Sequence, residues 1–559
     1  TFVGSQAGRF SVVGTNQTYI GAEAGQYATG SYNTFVGYEA GKGGTTSAPY
    51  SSGTNNVAVG YQALTAFTTG GENTVVGNLA FDALTTGTRN IGIGPAAGGA
   101  ITTGDHNIVL GYAAFDAATQ TGYTIAIGSL TLSAYTHVEN SFNVAIGHSV
   151  APLKTEGRFN TYIGGYLTAD KDLTGASNVY VGSYTNVAGT ATSNTTLVGA
   201  QAGRYATGSY NTFVGKSSGL GGTTSAPYSS GQYNVAMGND ALKNFTTANY
   251  NVAIGYQAAE DLTTGYNNTV VGPLAGESLT STIQTVLIGS YAGHAINSTD
   301  ANGTICIGNN AGQSITSGQY NTIIGYNAGD ALTDGDSSTI VGYEAGTALA
   351  VTGTRGSTLV GHEAGKALTQ GGNNTAIGRS ALKTQTTGNS NVAIGDQAMQ
   401  YTPASTAISS VVAIGPSALG DGSGMSTTGD GGVAIGSGAG NNIKNLAGEF
   451  VIIGKDAGQK INGVSSTIIG YEAGQYASGS YNTFVGADAG KGGTTSAPYS
   501  SGQYNTALGN EAFENFTTAA NNVAIGFRTA EAITTGGSNV AIGAYAFDAS
   551  TTPSNNTAI

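Results

Sequence analysis

Asn56-Val57-Ala58-Val59-Gly60, Asn251-Val252-Ala253-Ile254-Gly255 and Asn522-Val523-Ala524-Ile525-Gly526 are one five-residue phrase met at three distant places in a 559-residue chain. The phrase is Asn, a β-branched residue, an apolar residue, an aliphatic residue, Gly. Its glycine recurs 31 times from Gly4 to Gly543, most often 17 residues apart. A fixed period of that length marks a repeat architecture, in which a single unit cannot bury its own apolar face and stacking must do so.

The residue three before the motif Gly is Thr, Val or Ile, and the residue just before it is Ile, Val or Leu, with Met237 the one exception. That restriction is what a β-strand on a half-buried surface selects. The two positions share one face, because side chains alternate along a strand. The residue between them points the other way and is also apolar: Ala most often, or Phe35, Tyr162, Leu287, Cys306 and Ile323, with Gly92 as the exception. Strands apolar on both faces are covered on both. One face fills the coil's own interior, and the other meets something else, for which another copy of the chain is the simplest candidate. A folded monomer with its mid-strand side chains in water would contradict this reading.

After each motif Gly come two variable residues, usually Ala, then Gly, Leu or Phe, as in Tyr61-Gln62-Ala63-Leu64 and Tyr38-Glu39-Ala40-Gly41. A Thr/Gly turn such as Thr68-Thr69-Gly70 follows. The coil therefore reads as strand, tight corner, short second strand, turn. The Asn that opens most motifs falls at one place in every coil, where stacked amides bond one another in a ladder.

A longer repeat overlies the short one. Gly30-Ser31-Tyr32-Asn33-Thr34-Phe35-Val36-Gly37 returns at 208–215 and 479–486, each time followed by Gly-Gly-Thr-Thr-Ser-Ala-Pro-Tyr-Ser-Ser-Gly. These inserted loops, near 42–53, 220–231 and 491–502, interrupt one continuous array spanning 1–559, and the coils of 397–436 are irregular in length. A linear stack tolerates such duplication because each coil touches only its neighbours.

Composition excludes several classes. The 91 glycines come with only 9 prolines and no G-X-Y period, which excludes collagen. Apolar residues at 39% are too many and too regular for disorder. A formal charge of −13 without a basic run argues against nucleic acid as a partner. No stretch is long and apolar enough for membrane insertion. Cys306 is the single cysteine, so no intrachain disulfide forms. Thr1 and Ile559 both fall inside a motif, so the sequence is expected to be an interior stretch of a longer chain.

No motif points to catalysis, a metal or a cofactor. Gly92-Ile93-Gly94-Pro95-Ala96-Ala97-Gly98 lacks the spacing and the βαβ setting of a dinucleotide loop. His106, His137, His148, His294 and His362 have no metal-ligand spacing. His148 and His362 follow a motif Gly, where a three-fold assembly would ring them around an ion, but solvent exposure is the plainer reading. Cys306 takes an Ala position and reads as a core residue. The acidic residues show no repeated pair of the kind a glycosidase needs. The best recognition candidates are Pro49, Tyr50, Pro227, Tyr228, Pro498 and Tyr499 at the loop tips, where exposed Tyr with Asn and Ser can stack on and bond sugars.

Asn-(Val/Thr)-Ala-Ile-Gly with a following Ala resembles the head repeats of YadA-like trimeric autotransporter adhesins. The longer form, with Ala-Leu and Thr-Thr-Gly, looks more like repeats of phage tail fibres. The resemblance covers essentially the whole chain. It implies a left-handed parallel β-roll or β-solenoid of about 32 coils, with three chains around a common axis as a homotrimeric fibre. At the ~4.8 Å interstrand spacing such a stack is about 150 Å long. It further implies a non-catalytic, extracellular attachment role on a virion or cell surface, toward a glycan or host receptor. A phage tail fibre shaft is the leading expectation. A bacterial adhesin or surface filament is the alternative, an ice-binding solenoid a distant one, and a depolymerase a further rival.

Overall fold

In the computed structural model, residues 1–350, 352–353, 356–401, 407–421, 430–443, 449–496 and 498–559 are described. The chain is an all-β parallel solenoid of about 31 turns. Among the described residues the only helical element is a 3₁₀ turn, Thr299–Ala301, capped by Ser298. Two compact units divide the chain, 1–281 and 282–559.

In the first unit each motif forms a short strand, from Phe2–Val3 through Val57–Val59 to Thr269–Val271. Consecutive strands pair in parallel and in register, so Val57, Ala58 and Val59 lie against Thr74, Val75 and Val76. The second unit repeats the arrangement from Val286–Ile288 to Thr557–Ala558, with Ile305, Cys306 and Ile307 against Thr322, Ile323 and Ile324.

The mid-strand residues fill the interior. Tyr19, Phe35, Ala58, Val75 and Cys306 are fully buried, and their buried neighbours across the coil are the alanines three after the motif Gly, such as Ala24, Ala40 and Ala63. These side chains need no second chain to leave water. The outward face is the β-branched pair: Val179 is 38% and Ile254 36% exposed. The face left for a partner is therefore this pair, and the mid-strand row already has its neighbours within the coil.

Interior volume is balanced between two positions. In many coils a large mid-strand residue goes with Gly four after the motif Gly, as Tyr19 with Gly25, Phe35 with Gly41 and Leu197 with Gly203, whereas Tyr162 and Tyr180 go with the polar Thr168 and Asn186. A Cβ on Gly41 would lie 2.5 Å from the Phe35 ring. In the coils of Ala58, Ala236 and Ala376 that position holds Leu64, Leu242 and Leu382, all buried. Close packing requires this reciprocity.

The motif Gly is fixed by two constraints at once. Gly60 has φ 140°, and a Cβ there would come within 2.3 Å of the Gly77 carbonyl of the next coil. The Asn ladder forms as expected. Asn73 donates its backbone N–H to Asn56 Oδ1 (3.1 Å), and its amide reaches both Asn56 Oδ1 (3.0 Å) and the Gly87 carbonyl (2.9 Å). Asn90 bonds Asn73 in the same way. Each buried amide thus ties strand to turn and coil to coil.

Apart from one two-residue pair at the turn, Asp334–Gly335 with Thr352–Gly353, the expected short second strand is absent from the described coils. The segment after the motif Gly is instead a run of turns with every second residue left-handed, as at Gln62 (φ 52°) and Leu64 (φ 54°). Its backbone still bonds along the stack, Leu64 N–H to Ala80 O at 3.1 Å. In the irregular zone, residues 402–406 and 422–429 lie outside the described residues. The described part carries the two longest strands, Ser409–Ile414 and Asp430–Ile435, paired in parallel.

Candidate functional site

The three inserted loops leave the stack and return to it by the same bonds. In the first, Gly43 and Gly44 donate to Thr65 O and Phe67 O, and Ser51 and Ser52 donate to Tyr27 O and Thr68 O. The Ser51 hydroxyl closes the neck, accepting from Thr45 N (3.3 Å) and lying 2.9 Å from Thr45 Oγ1. Ser229 with Thr223 and Ser500 with Thr494 repeat this closure. These necks fix each loop to the stack at its base.

At the tips Pro49, Pro227 and Pro498 are exposed, whereas Tyr50, Tyr228 and Tyr499 are half-buried. The expectation of exposed tyrosines is corrected here. Each loop Tyr lies on the ring of a stack residue six after its motif Gly. Tyr50 stacks on Tyr27 (6.0 Å between centroids) and Phe10 (5.0 Å), Tyr228 on Tyr205 (6.4 Å), and Tyr499 on Tyr476 (6.5 Å). Offset stacking of this kind holds the ring in place while leaving an edge in water.

A cavity of about 420 Å³ opens beneath the third loop. Its wall is Pro498, Tyr499, Ser478, Ser501, Asn442, Asn462 and Lys460. An aromatic ring, two hydroxyls, two amides and one cation converge there, the mixture of apolar wall and few polar groups that marks a small-molecule site. Asn442 connects Lys460 Nζ (2.7 Å) to Asp421 Oδ2 (3.3 Å) when its amide is turned to satisfy both. A second cavity, about 370 Å³, is lined by Gln397, Gln400, Tyr401, Ser417, Gly420, Asp421 and Asn441 beside the irregular coils.

His148 and His362 are exposed, and His362 stacks on Tyr343 at 5.1 Å. Cys306 is fully buried, and desolvation pushes its thiol up to about 12, far from a nucleophile's range. A cluster that the linear sequence hides is Glu511, Glu514 and Glu531, whose carboxylate oxygens lie within 4.8 Å of one another. Burial first, then neighbouring carboxylates, raise the Glu514 pKa. Arg528 neutralises part of the cluster through Glu511. Aligning coils by their motif Gly would have revealed it, since Glu514 and Glu531 occupy the same column.

Another hidden group is buried in the first unit. Lys154 and Asp172, ten residues before successive motif glycines, stand where other coils place Leu84 or Ile101. Both are fully buried, 3.4 Å apart. Tyr162 donates to Asp172 Oδ2 (2.6 Å), Gly175 N–H donates to Oδ1 (2.9 Å), and Lys154 donates to Gly175 O (2.7 Å). Desolvation lowers the Lys154 pKa against the pull of Asp172. Every charged atom is met by a partner, which identifies a closed polar plug in the core with no opening for a substrate.

Among the described residues no helix is long and apolar enough to cross a membrane. Comparison of the chain with protein-family models, with curated proteins and with solved structures finds no match.

Proposed function

We propose that this chain is a non-catalytic, extracellular attachment fibre. In this reading it is a left-handed solenoid, and three copies associate side by side through their outer strand faces. The inserted loops contact a glycan or receptor on the surface to which the fibre attaches. One observation carries the reading. The two outward positions of every motif strand hold only Thr, Val, Ile, Leu or Met, with no charge anywhere along either unit. About sixteen strands per unit, each offering two half-covered side chains, exceed the ~800 Å² per partner of a standard stable interface. A continuous uncharged face of that size is not left in water on a soluble protein.

The resemblance of the repeat to trimeric adhesin heads and phage fibres favours three copies over two, and a virion tail appendage over a bacterial surface filament. The ice-binding alternative is weakened by the turn threonines. Thr68, Thr85 and Thr102 each donate their hydroxyl to the next coil's carbonyl at 2.9–3.1 Å, which takes them out of any solvent-facing array.

The test is the solution mass. The 55.5 kDa chain is expected to run at three times its mass by light scattering. Replacing Val179, Met237 and Ile254 with Asp should lower that mass while leaving the β-sheet circular dichroism intact, because these side chains point out of the coil. A wild-type chain that stays monomeric at high concentration would sink the proposal.

A further inference from the structure

Few of the basic residues of this acidic chain lack a carboxylate partner. The chain has 18 Lys and Arg, of which Arg355 and Lys444 lie outside the described residues. Most of the others are bound to carboxylates: Lys42 to Glu23 and Glu39, Lys243 to Asp240 and Glu260, Arg379 to Asp396, Arg528 to Glu511. Among the described residues only Arg9, Lys171, Arg204, Lys216 and Lys460 have no carboxylate within ion-pair distance.

Four of these five meet the aromatic columns under the inserted loops. The Arg9 guanidinium lies 5.1 Å over Phe10, the ring on which Tyr50 stacks. Lys171 Nζ lies 5.7 Å from the Tyr228 ring. Arg204 lies 5.0 Å over Tyr205, and its Nε is buried without a hydrogen-bond partner. Lys460 shares the cavity wall with Tyr499, and no carboxylate lines that cavity among the described residues. The three loops are near-copies in sequence, and their cations come from several places: one residue before the stacked ring at Arg9 and Arg204, an earlier coil at Lys171, and the column below at Lys460. The common outcome is a half-buried loop Tyr in an aromatic column or cavity that also holds a cation without a carboxylate partner.

We propose that the inserted loops bind an acidic saccharide, one bearing carboxylate or sulfate groups. The inference rests on the attachment reading above and names its ligand class. The sugar's C–H face packs on the loop Tyr and Pro, its hydroxyls meet Ser478, Ser501 and the amides at the third loop, and its anionic group takes the cation. Charge-assisted bonds of this kind are the strong ones.

The experiment titrates the full assembled chain with three oligosaccharides of equal length: a polyuronate, a sulfated one and a neutral one. At low salt at least one acidic probe should bind roughly tenfold or more tightly than the neutral probe, as expected for a hydrogen bond to a charged group. That preference should shrink as salt screens it. The quadruple variant Arg9→Gln/Lys171→Gln/Arg204→Gln/Lys460→Gln should lose the preference, and Arg379→Gln, whose cation is already paired, should keep it. Which acidic probe wins separates carboxylate from sulfate. Equal affinity for neutral and acidic probes would overturn the charge inference and leave attachment through the loops standing. If no probe binds, or if Tyr50→Ala/Tyr228→Ala/Tyr499→Ala binds as well as wild type, the loop reading fails with it.

Discussion

Gly92 lacks a side chain because Phe81 already occupies its space. A Cβ on Gly92 would lie 2.1 Å from the Phe81 ring, and one on Gly98 would lie 2.9 Å from the same ring. One ring from the coil below thus fills the volume that a mid-strand residue and its partner fill elsewhere. Gly92→Ala should cost about 1–3 kcal/mol, the range for overpacking a tight core. Phe81→Leu should restore much of that loss in the double variant while being destabilising alone. Denaturant unfolding of the four-member cycle measures the coupling, and strictly additive effects would refute the shared-volume account. Gly92 stood out in the sequence as the one exception among mid-strand residues, but its reason did not. The reciprocity of Tyr19 with Gly25, or Ala58 with Leu64, is invisible until the two positions are known to face each other across the coil. Cys306 was legible for the opposite reason, because it sits where Ala sits and obeys the same packing rule.

The coil as an element was legible in its strand and misread in its second half. Polar–apolar alternation in Tyr61-Gln62-Ala63-Leu64 imitates a strand, since a ribbon with every second residue left-handed also alternates its side chains. The distinguishing signal was present in composition. The left-handed positions hold Gln62, Leu64, Leu79 and Phe81, and the corresponding residues of the other regular coils are likewise not β-branched, as sterics require at positive φ. The loops were legible from their length, but the cations beneath them were not, because Lys171 reaches Tyr228 across several coils. The Lys154–Asp172 plug was missed for the same reason, two charges far apart in sequence standing in one interior column. Its energetics give a clear expectation. Lys154→Leu alone leaves Asp172 buried without its counter-charge and should cost about 3–5 kcal/mol, whereas pairing it with Asp172→Leu should recover most of that cost. The comparison is made by unfolding midpoints of the single and double variants. A double variant as unstable as the single would mean that the plug's hydrogen bonds to Tyr162 and Gly175, and not its charges, hold this stretch of the stack.

At the scale of the whole chain the two units differ in how their carboxylates are held, and acid should separate them. In 282–559, Glu344 and Glu363 are held below the usual carboxylate range by Lys366, Glu472 by Lys491 and Asp396 by Arg379, with Glu363 lowered to about 2. Opposing them there, burial raises Asp330 and Glu514. In 1–281 only Glu39, held by Lys42, is lowered, while burial raises Asp82 and Asp116. The sign follows from linkage. A carboxyl with a depressed folded pKa contributes stability above its unfolded value, near 4.5 for Glu, and loses it as pH falls through the folded value. A carboxyl with a raised folded pKa does the reverse, so its protonation relieves a cost. Between about pH 4.5 and pH 2, unit 282–559 should therefore lose stability while 1–281 stays level or gains. Amide exchange corrected for its intrinsic pH dependence reads the two units separately in one sample. Strands such as Thr358–Val360 and Thr375–Ile377 are expected to open more readily at pH 3 than at pH 7, ahead of Val57–Val59 and Thr74–Val76. Glu363→Gln should blunt the difference, because the amide has no proton to gain in this window. Equal opening of both units on acidification, or earlier opening of 1–281, would mean that these lysine-bridged carboxylates do not carry the stack's acid response.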